Sequence, residues 1–216
     1  MKLYLVRHGE TEGNLVHLYQ GDSDPLSAKG RAQGAILAKR FESIPLDLIL
    51  ASRYVRAMET AKMVADAKKM PVQVEDLMVE RRWPKEIEGK EAADPGIQDL
   101  RTMLKEKELS DPEWRLSNEE RYIDVRERAI QFLAKAQTLS KTHNDILVVS
   151  HAHMLKVLLS VIIHGPEVSA KLFRDIFYVI SLHNTGITVV EYDGKQWHIV
   201  TFNDHAHLGE YHRQPH

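Results

Sequence analysis

Cysteine is absent from the 216 residues of this chain, and its positive and negative charges nearly cancel. The lack of cysteine excludes disulfide bonds, thiolate zinc sites and a cysteine nucleophile. A net charge of −2 at pH 7 gives no electrostatic reason to bind nucleic acid or an anionic membrane. Any affinity for an anion must therefore come from a local cluster of basic side chains.

Long hydrophobic runs are also absent. No stretch is long enough to span a membrane, and the apolar run before Arg7 is too short for a signal peptide. Together with the lack of cysteine, this favours a cytoplasmic protein. The composition, 43% hydrophobic and 28% charged, excludes a disordered chain, and the length predicts a single domain over residues 1–216.

Three runs that are apolar throughout, instead of alternating with polar residues, predict buried strands of a parallel sheet. They cover residues 3–6, 46–51 and 146–149. Apolar residues at helical spacing predict helices over residues 27–41, 55–67, 124–139 and 154–163. Because strands and helices alternate, we expect an α/β fold, a three-layer α/β/α sandwich with a mainly parallel central sheet.

The C-terminal part of the chain changes to a β-rich composition over residues 177–183, 187–192 and 196–202. Asp193-Gly194 is a strong hairpin signal between the last two segments. We expect these strands to extend the sheet in antiparallel fashion. An exposed edge strand in this region would allow a homodimer.

A charged segment at residues 81–121 interrupts the strand and helix pattern. Pro84, Pro95 and Pro112 divide it into short pieces. Segments of this kind usually lie over the surface of the elements that they connect. We therefore expect a cap-like insertion over one end of the sheet.

Basic residues follow the three predicted parallel strands. Arg7 and His8 come directly after the first, Arg56 lies just beyond the second, and His151 follows the third. Open α/β sheets bind their ligands at the carboxyl ends of their strands, so these side chains should converge. Arginine suits phosphate oxygens, and a neutral histidine nitrogen can attack phosphorus. The pattern predicts a phosphate site with a histidine nucleophile.

The residues around this cluster resemble a known family. Arg7-His8-Gly9-Glu10-Thr11, followed by Asn14, is similar to the signature of the histidine phosphatase superfamily, which contains cofactor-dependent phosphoglycerate mutases and many small phosphatases. The family's later motifs are matched in the same order by residues 21–27, 56–61, 148–151 and 202–208. The resemblance covers essentially the whole chain and favours the phosphatase branch.

The resemblance implies a role for each matching residue. His8 would become phosphohistidine, Arg7 and Arg56 would bind the phosphoryl group, and His151 would also stabilise the transition state. Glu80 would be the general acid and base. The phosphate pocket would further be lined by Asn14, Thr11, Gln20 and Gly21.

Two segments depart from the family's usual residues. Glu80 is followed by Arg81-Arg82-Trp83-Pro84, where the family often has a glycine, so Glu75, Glu86 and Glu88 are competing candidates for the acid. Ala152-His153 stands where the second histidine motif usually has glycine. We expect His153 to reach the rim of the pocket.

The expected activity is hydrolysis of a phosphomonoester of a small phosphorylated metabolite through a phosphohistidine intermediate. No metal or organic cofactor is expected, because the arginines and histidines supply the positive charge. The alternatives are a cofactor-dependent phosphoglycerate mutase and a catalytically silent module that binds phosphorylated ligands. Late histidines also raise a metal hypothesis, but we expect them on the surface or in the tail: His205, His207, His212 and His216.

Overall fold

The computed structural model describes residues 1–111 and 114–212. Its strands are β1 (Lys2–Arg7), β2 (Leu48–Ala51), β3 (Gln73–Val74), β4 (Asp145–Ser150), β5 (Ile187–Tyr192) and β6 (Trp197–Asp204). Its α-helices are α1 (Glu12–Leu15), α2 (Ala28–Phe41), α3 (Val55–Lys68), α4 (Pro95–Ser110), α5 (Tyr122–Leu139), α6 (Ala152–His164) and α7 (Ala170–Phe177). Short 3-10 helices cover Asp76–Met78 and Ala206–His212.

The strands form one sheet in the order β3-β2-β4-β1-β5-β6. The pairs from β3 to β1 are parallel, whereas β5 and β6 join in antiparallel fashion. Arg7 pairs with Ser150, and Ala51 pairs with Val149. This register brings the carboxyl ends of β1, β4 and β2 to the same edge of the sheet.

Helices cover both faces of the sheet, because side chains of successive strand residues point to opposite faces. Leu3 and Leu5 pack into a core with α5 and α6, and Tyr4 and Val6 pack into a second core with α2 and α3. The predicted α/β/α sandwich with a mainly parallel sheet is therefore confirmed. No helix in the described part of the chain combines the length and apolarity needed to cross a membrane.

The strand predicted at residues 177–183 is wrong. Phe177 ends α7, and residues 178–186 contain no strand. Phe173 and Phe177 are four residues apart, so they share one face of the helix and pack together with ring centroids 5.5 Å apart. A short apolar run does not distinguish a strand from a buried helix, and tertiary packing decides between them here.

The charged segment 81–121 contains helix α4, which the sequence did not predict. Pro95 occupies its first turn, where proline is well tolerated because the N–H that it lacks would have no partner within the helix. Asp94 caps this helix through a hydrogen bond from the Ile97 N–H. Pro112 lies outside the described residues. A single domain over residues 1–216 with a cap-like insertion at about 81–121 stays a prediction.

Gly30, in the first turn of α2, fixes the loop that follows β1. A Cβ atom at this position would overlap with the backbone carbonyl of Glu10. Ser27 caps the helix by accepting a hydrogen bond from the Gly30 N–H, and its own N–H donates to the Glu10 carbonyl at 2.9 Å. The loop after β1 can therefore pack directly on the start of α2.

We expect Gly30→Ala to lower the free energy of unfolding by about 1–3 kcal/mol, because the loop must move to admit the methyl group. Gly96→Ala is the matched control, since it lies in the first turn of α4 and its Cβ would approach only the side chain of Asp94. Chemical denaturation of both variants measures the difference. Equal free energies of unfolding for Gly30→Ala and Gly96→Ala would contradict the close packing at Gly30.

Candidate active site

The four basic residues singled out in the sequence lie together at the carboxyl ends of β1, β4 and β2. His8 follows β1, and its N–H donates to the Ser150 carbonyl at 2.9 Å. His151 follows β4, and Arg56 lies in the first turn of α3. The ring centroids of His8 and His151 are 5.1 Å apart. Arg56 and both histidines are buried.

The two nitrogens of His8 have different partners. Nδ1 lies 2.7 Å from the Gly9 carbonyl, and since a carbonyl only accepts, Nδ1 carries the hydrogen. Nε2 therefore keeps its lone pair, and Arg56 Nε donates a hydrogen bond to it at 3.3 Å. The unprotonated nitrogen of His8 faces a guanidinium group.

Both arginines are held by backbone carbonyls. Arg7 Nη1 donates to the Leu182 carbonyl at 2.7 Å, and Arg56 Nη1 donates to the Gly21 carbonyl at 2.6 Å. Burial lowers the pKa of Arg7 to about 10 and also lowers the pKa of Arg56. Both groups still carry a positive charge at neutral pH, so the edge of the sheet is locally cationic.

The two histidines are neutral in this setting. Burial lowers the pKa of His8 and the pKa of His151 well below the ordinary histidine value, and the nearby charges of Arg56 and Arg7 lower them further. His151 Nε2 lies 2.7 Å from the Ser52 hydroxyl, and its Nδ1 is buried with no hydrogen-bond partner in the described part of the chain. Each ring can accept a hydrogen or attack an electrophile.

The side chain of Glu80 packs against the N-terminus of α6, from the segment that follows the first 3-10 helix. Its carboxylate accepts hydrogen bonds from the backbone N–H groups of His153, Met154 and Arg81, at 3.2, 3.1 and 2.9 Å. The positive end of the helix dipole favours an acidic group here. Glu80 lines a cavity of about 200 Å³ together with Arg7, His8, Arg56 and Asn14.

The competing carboxylates have other contacts. Glu75 forms an ion pair with Lys135 at 2.6 Å, and Glu86 accepts a hydrogen bond from Ser117. Glu88 lies beside Gly21, in a neighbouring depression. Of the four carboxylates, only Glu80 lines the described cavity that contains His8.

Thr11, Asn14 and Gln20 form a hydrogen-bonded support for the loop after β1. The Thr11 N–H donates to the Asn14 side-chain oxygen at 3.1 Å, and the Thr11 hydroxyl donates to the Gln20 side-chain oxygen at 2.7 Å. Asn14 and Gln20 line the cavity with His8, whereas Thr11 is buried behind them. Gly21 contributes its carbonyl to Arg56.

Asn184 is a further site residue that sequence reasoning missed. Its side-chain amide donates to the His8 carbonyl at 2.8 Å and lies 3.4 Å from the Asn14 side-chain oxygen. It belongs to the short polar segment before β5, between two apolar runs. No local sequence signal marks it, because its place beside His8 follows from the pairing of β5 with β1.

The late histidines His205 and His207 do not line this cavity. His205 stacks on His183 with ring centroids 3.9 Å apart, and His207 lies 3.4 Å from the Thr185 hydroxyl. The described residues contain no group of three or more His, Asp or Glu side chains that could hold a metal ion. His216 lies outside them.

Comparison with known proteins identifies the family. The sequence model of the histidine phosphatase superfamily (branch 1) matches residues 3–205. The chain belongs to the histidine phosphatase superfamily. The predicted family and the predicted histidine-phosphatase type of enzyme are therefore confirmed.

Individual relatives within the family carry different names. The chain is 31% identical over 216 residues to a probable phosphoglycerate mutase GpmB of Proteus mirabilis, covering 96% of this chain and 95% of the relative. It is 28% identical over 222 residues to phosphoserine phosphatase 1 of Hydrogenobacter thermophilus, covering 100% and 98%. The solved structure of Bacillus stearothermophilus YhfR has a TM-score of 0.79 at 26% identity, covering 96% and 98%.

The buried neutral histidines should make this histidine phosphatase less stable in acid. Below about pH 6.5 the histidines of the unfolded chain take up protons, whereas His8, His151 and His153 remain neutral in the fold. The unfolded state then binds more protons, so the free energy of unfolding falls as pH falls. Each buried histidine contributes up to about 1.4 kcal/mol per pH unit.

This expectation is checked by urea denaturation of the wild type and of His153→Phe between pH 7 and pH 5. The variant should show a shallower pH slope, by about the contribution of one histidine. The exposed His164→Phe, on the same helix, is the control and should keep the wild-type slope. An unchanged slope in His153→Phe would mean that His153 takes up its proton in the folded state as well.

Proposed function

We propose that the chain is a phosphomonoester hydrolase that works through a phosphohistidine at His8. The observation that carries this proposal is the state of His8, whose Nδ1 donates to the Gly9 carbonyl and whose Nε2 keeps a lone pair beside the guanidinium of Arg56. A neutral imidazole nitrogen next to a fixed cation suits attack on an anionic phosphoryl group.

In the first step, Nε2 of His8 forms a bond to phosphorus, and the bond from phosphorus to the ester oxygen breaks. Arg7 and Arg56 bind the phosphoryl oxygens and offset their charge in the transition state. His151 lies against His8 and stabilises the same group. Asn14 and Gln20 also line the pocket, and Thr11 supports them from behind through hydrogen bonds.

Glu80 acts as the general acid in the first step and as the general base in the second. Its carboxyl group gives a proton to the leaving ester oxygen, so the alcohol part of the substrate departs as a neutral alcohol. In the second step the resulting carboxylate takes a proton from a water molecule, whose oxygen attacks phosphorus while the bond to Nε2 breaks. The products are inorganic phosphate and free His8. The position of Glu80 in the same cavity as His8 supports this role.

The substrate is a small phosphorylated metabolite. The name of the relative phosphoserine phosphatase 1 supports a small substrate. A second candidate activity, phosphoglycerate mutase, is favoured by the relative named probable phosphoglycerate mutase GpmB. A mutase would use the same His8 but return the phosphoryl group to another hydroxyl of the substrate, in place of water.

His8→Ala should reduce turnover of phosphate esters at least about a thousandfold and abolish acid-labile phosphoryl labelling, because it removes the attacking nitrogen. His164→Ala, at an exposed position on α6, is the control and should keep both signals. Phosphate release and isomer formation are measured on phosphoglycerates and a panel of metabolite esters. Isomer formation without net phosphate release would replace the hydrolase by the mutase.

Glu80→Gln should slow the hydrolysis of alkyl phosphates at least about a hundredfold, since an alkoxide leaves poorly without a proton donor. Hydrolysis of para-nitrophenyl phosphate, whose leaving group needs little protonation, should fall less than about tenfold. Glu86→Gln is the matched control and should leave both rates unchanged. Equal losses on the two ester types in Glu80→Gln would assign the acid role elsewhere.

A further inference from the structure

We call the cavity that contains His8 and Glu80 the phosphate pocket. A second cavity, of about 170 Å³, adjoins it. Tyr19 and Trp83 line both cavities, so the two cavities meet at these side chains. The second cavity lies between α4, α7 and the first turn of α6. The alcohol part of a phosphate ester bound at His8 would therefore lie beside the second cavity. We call it the aromatic pocket, after six lining residues: Tyr19, Trp83, His153, Phe173, Phe177 and Tyr178.

The six rings form a continuous wall. Tyr19 contacts Trp83 at 4.9 Å between centroids, and Trp83 contacts His153 at 6.3 Å, both edge to face. His153 contacts Phe177 at 5.2 Å, and Phe177 contacts Tyr178 at 5.4 Å. Rings in these orientations hold one another in place and present apolar surface. The wall begins at the phosphate pocket and ends near solvent, where Tyr178 is exposed.

The position of Phe177 is fixed by the neighbouring helix. Lys156, on α6, donates a hydrogen bond to the Phe177 carbonyl at 2.8 Å, and its ammonium group lies 4.0 Å from the ring centroid. Phe173 stacks on the buried Tyr122 at 4.7 Å. The pocket is therefore bounded by anchored side chains, and its volume suits a group of about the size of a benzene ring.

The pocket is also strongly basic. One acidic residue, Glu108, lines it, and it forms an ion pair with Arg81 at 3.2 Å. Three more basic residues line the cavity: Arg101, Lys105 and Arg174. None of these three forms an ion pair with a residue in the described ranges 1–111 and 114–212. Arg101 lies 5.6 Å above the Tyr19 ring, at the boundary with the phosphate pocket.

His153 adds a polar atom to the apolar wall. It is 9% exposed, and its Nε2 is buried with no hydrogen-bond partner in the described part of the chain. A buried polar atom without a partner is costly unless a ligand satisfies it. The backbone N–H of the same residue donates to Glu80, so the wall of the aromatic pocket is joined directly to the acid of the proposed reaction.

We propose that the aromatic pocket binds the leaving group, and that the preferred substrates are phosphate monoesters of alcohols that carry a planar apolar group with an anionic substituent. This inference rests on the proposed hydrolase activity at His8. The planar group contacts the wall from Trp83 to Phe177, and the anionic substituent lies among Arg101, Lys105 and Arg174. Small esters without a ring would fill only the phosphate pocket.

The test compares three alkyl esters with chemically similar leaving groups: ethyl phosphate, phenethyl phosphate and para-carboxyphenethyl phosphate. We expect kcat/KM to be at least about tenfold higher for phenethyl than for ethyl phosphate, because the ring becomes buried. The carboxylate should raise it about threefold or more again, and added salt should reduce this second gain. Equal kcat/KM values for the three esters would overturn the inference and leave the hydrolase activity standing.

Variants locate the effect in the pocket. Phe177→Ala should reduce the ratio of phenethyl to ethyl turnover at least about threefold, whereas Leu172→Ala, at an exposed position on the same helix, should keep it. Arg101→Gln should remove the gain from the carboxylate, whereas Lys107→Gln, on the same helix but outside the cavity, should keep it. A ratio that survives in Phe177→Ala would place the leaving group elsewhere.

Binding without turnover separates this inference from the proposed function. Phenylpropylphosphonate and propylphosphonate replace the ester oxygen by carbon and cannot be hydrolysed by the proposed route. Calorimetry on the wild-type protein should give a Kd at least about tenfold lower for the phenyl compound. Equal Kd values would refute the aromatic pocket whatever the enzyme hydrolyses, and failure to hydrolyse any ester with a retained Kd difference would refute only the hydrolase proposal.

Discussion

The structure depends on burying positive charge at the carboxyl edge of a parallel sheet. Arg56 is buried and Arg7 is half-buried beside two histidines, which is costly unless the charged groups are hydrogen-bonded. The Leu182 and Gly21 carbonyls supply those bonds. The histidines avoid the same cost by remaining neutral. The proposed phosphoryl transfer to His8 uses a neutral nitrogen beside fixed cations, so the same burial that lowers the pKa of His8 supports the proposed chemistry.

Segments far apart in the chain hold this arrangement in place. Asn184, before β5, binds the backbone of His8, and Gly30, in α2, allows the loop after β1 to pack closely. The N-terminus of α6 positions Glu80 through backbone N–H groups. Because rigid elements supply these contacts, the charges are oriented before any substrate arrives, which reduces the reorganisation needed during reaction.

The candidate site has two halves, the phosphate pocket and the aromatic pocket, which are built from different parts of the chain. The phosphate half consists of strand ends and loops that carry the motifs resembling the family's, and the family model matches residues 3–205. The other half is built from α4, α7 and two places where the sequence departs from the family's usual residues, Trp83 and His153. Chemistry at phosphorus needs the same cations for every ester, whereas recognition of the alcohol must change with the substrate. The proposed leaving-group pocket lies in this second half.

The sequence by itself determined the alternating α/β pattern and the basic residues after three strands, because apolar periodicity and strand ends are local properties. It predicted a strand at residues 177–183 where α7 ends, and it interpreted Pro95 as an interruption where a helix begins. Asn184 had no local signal at all. Only the tertiary structure decided these points, since packing against Tyr122 and His153, and the place of β5 beside β1, depend on contacts between residues far apart in the chain.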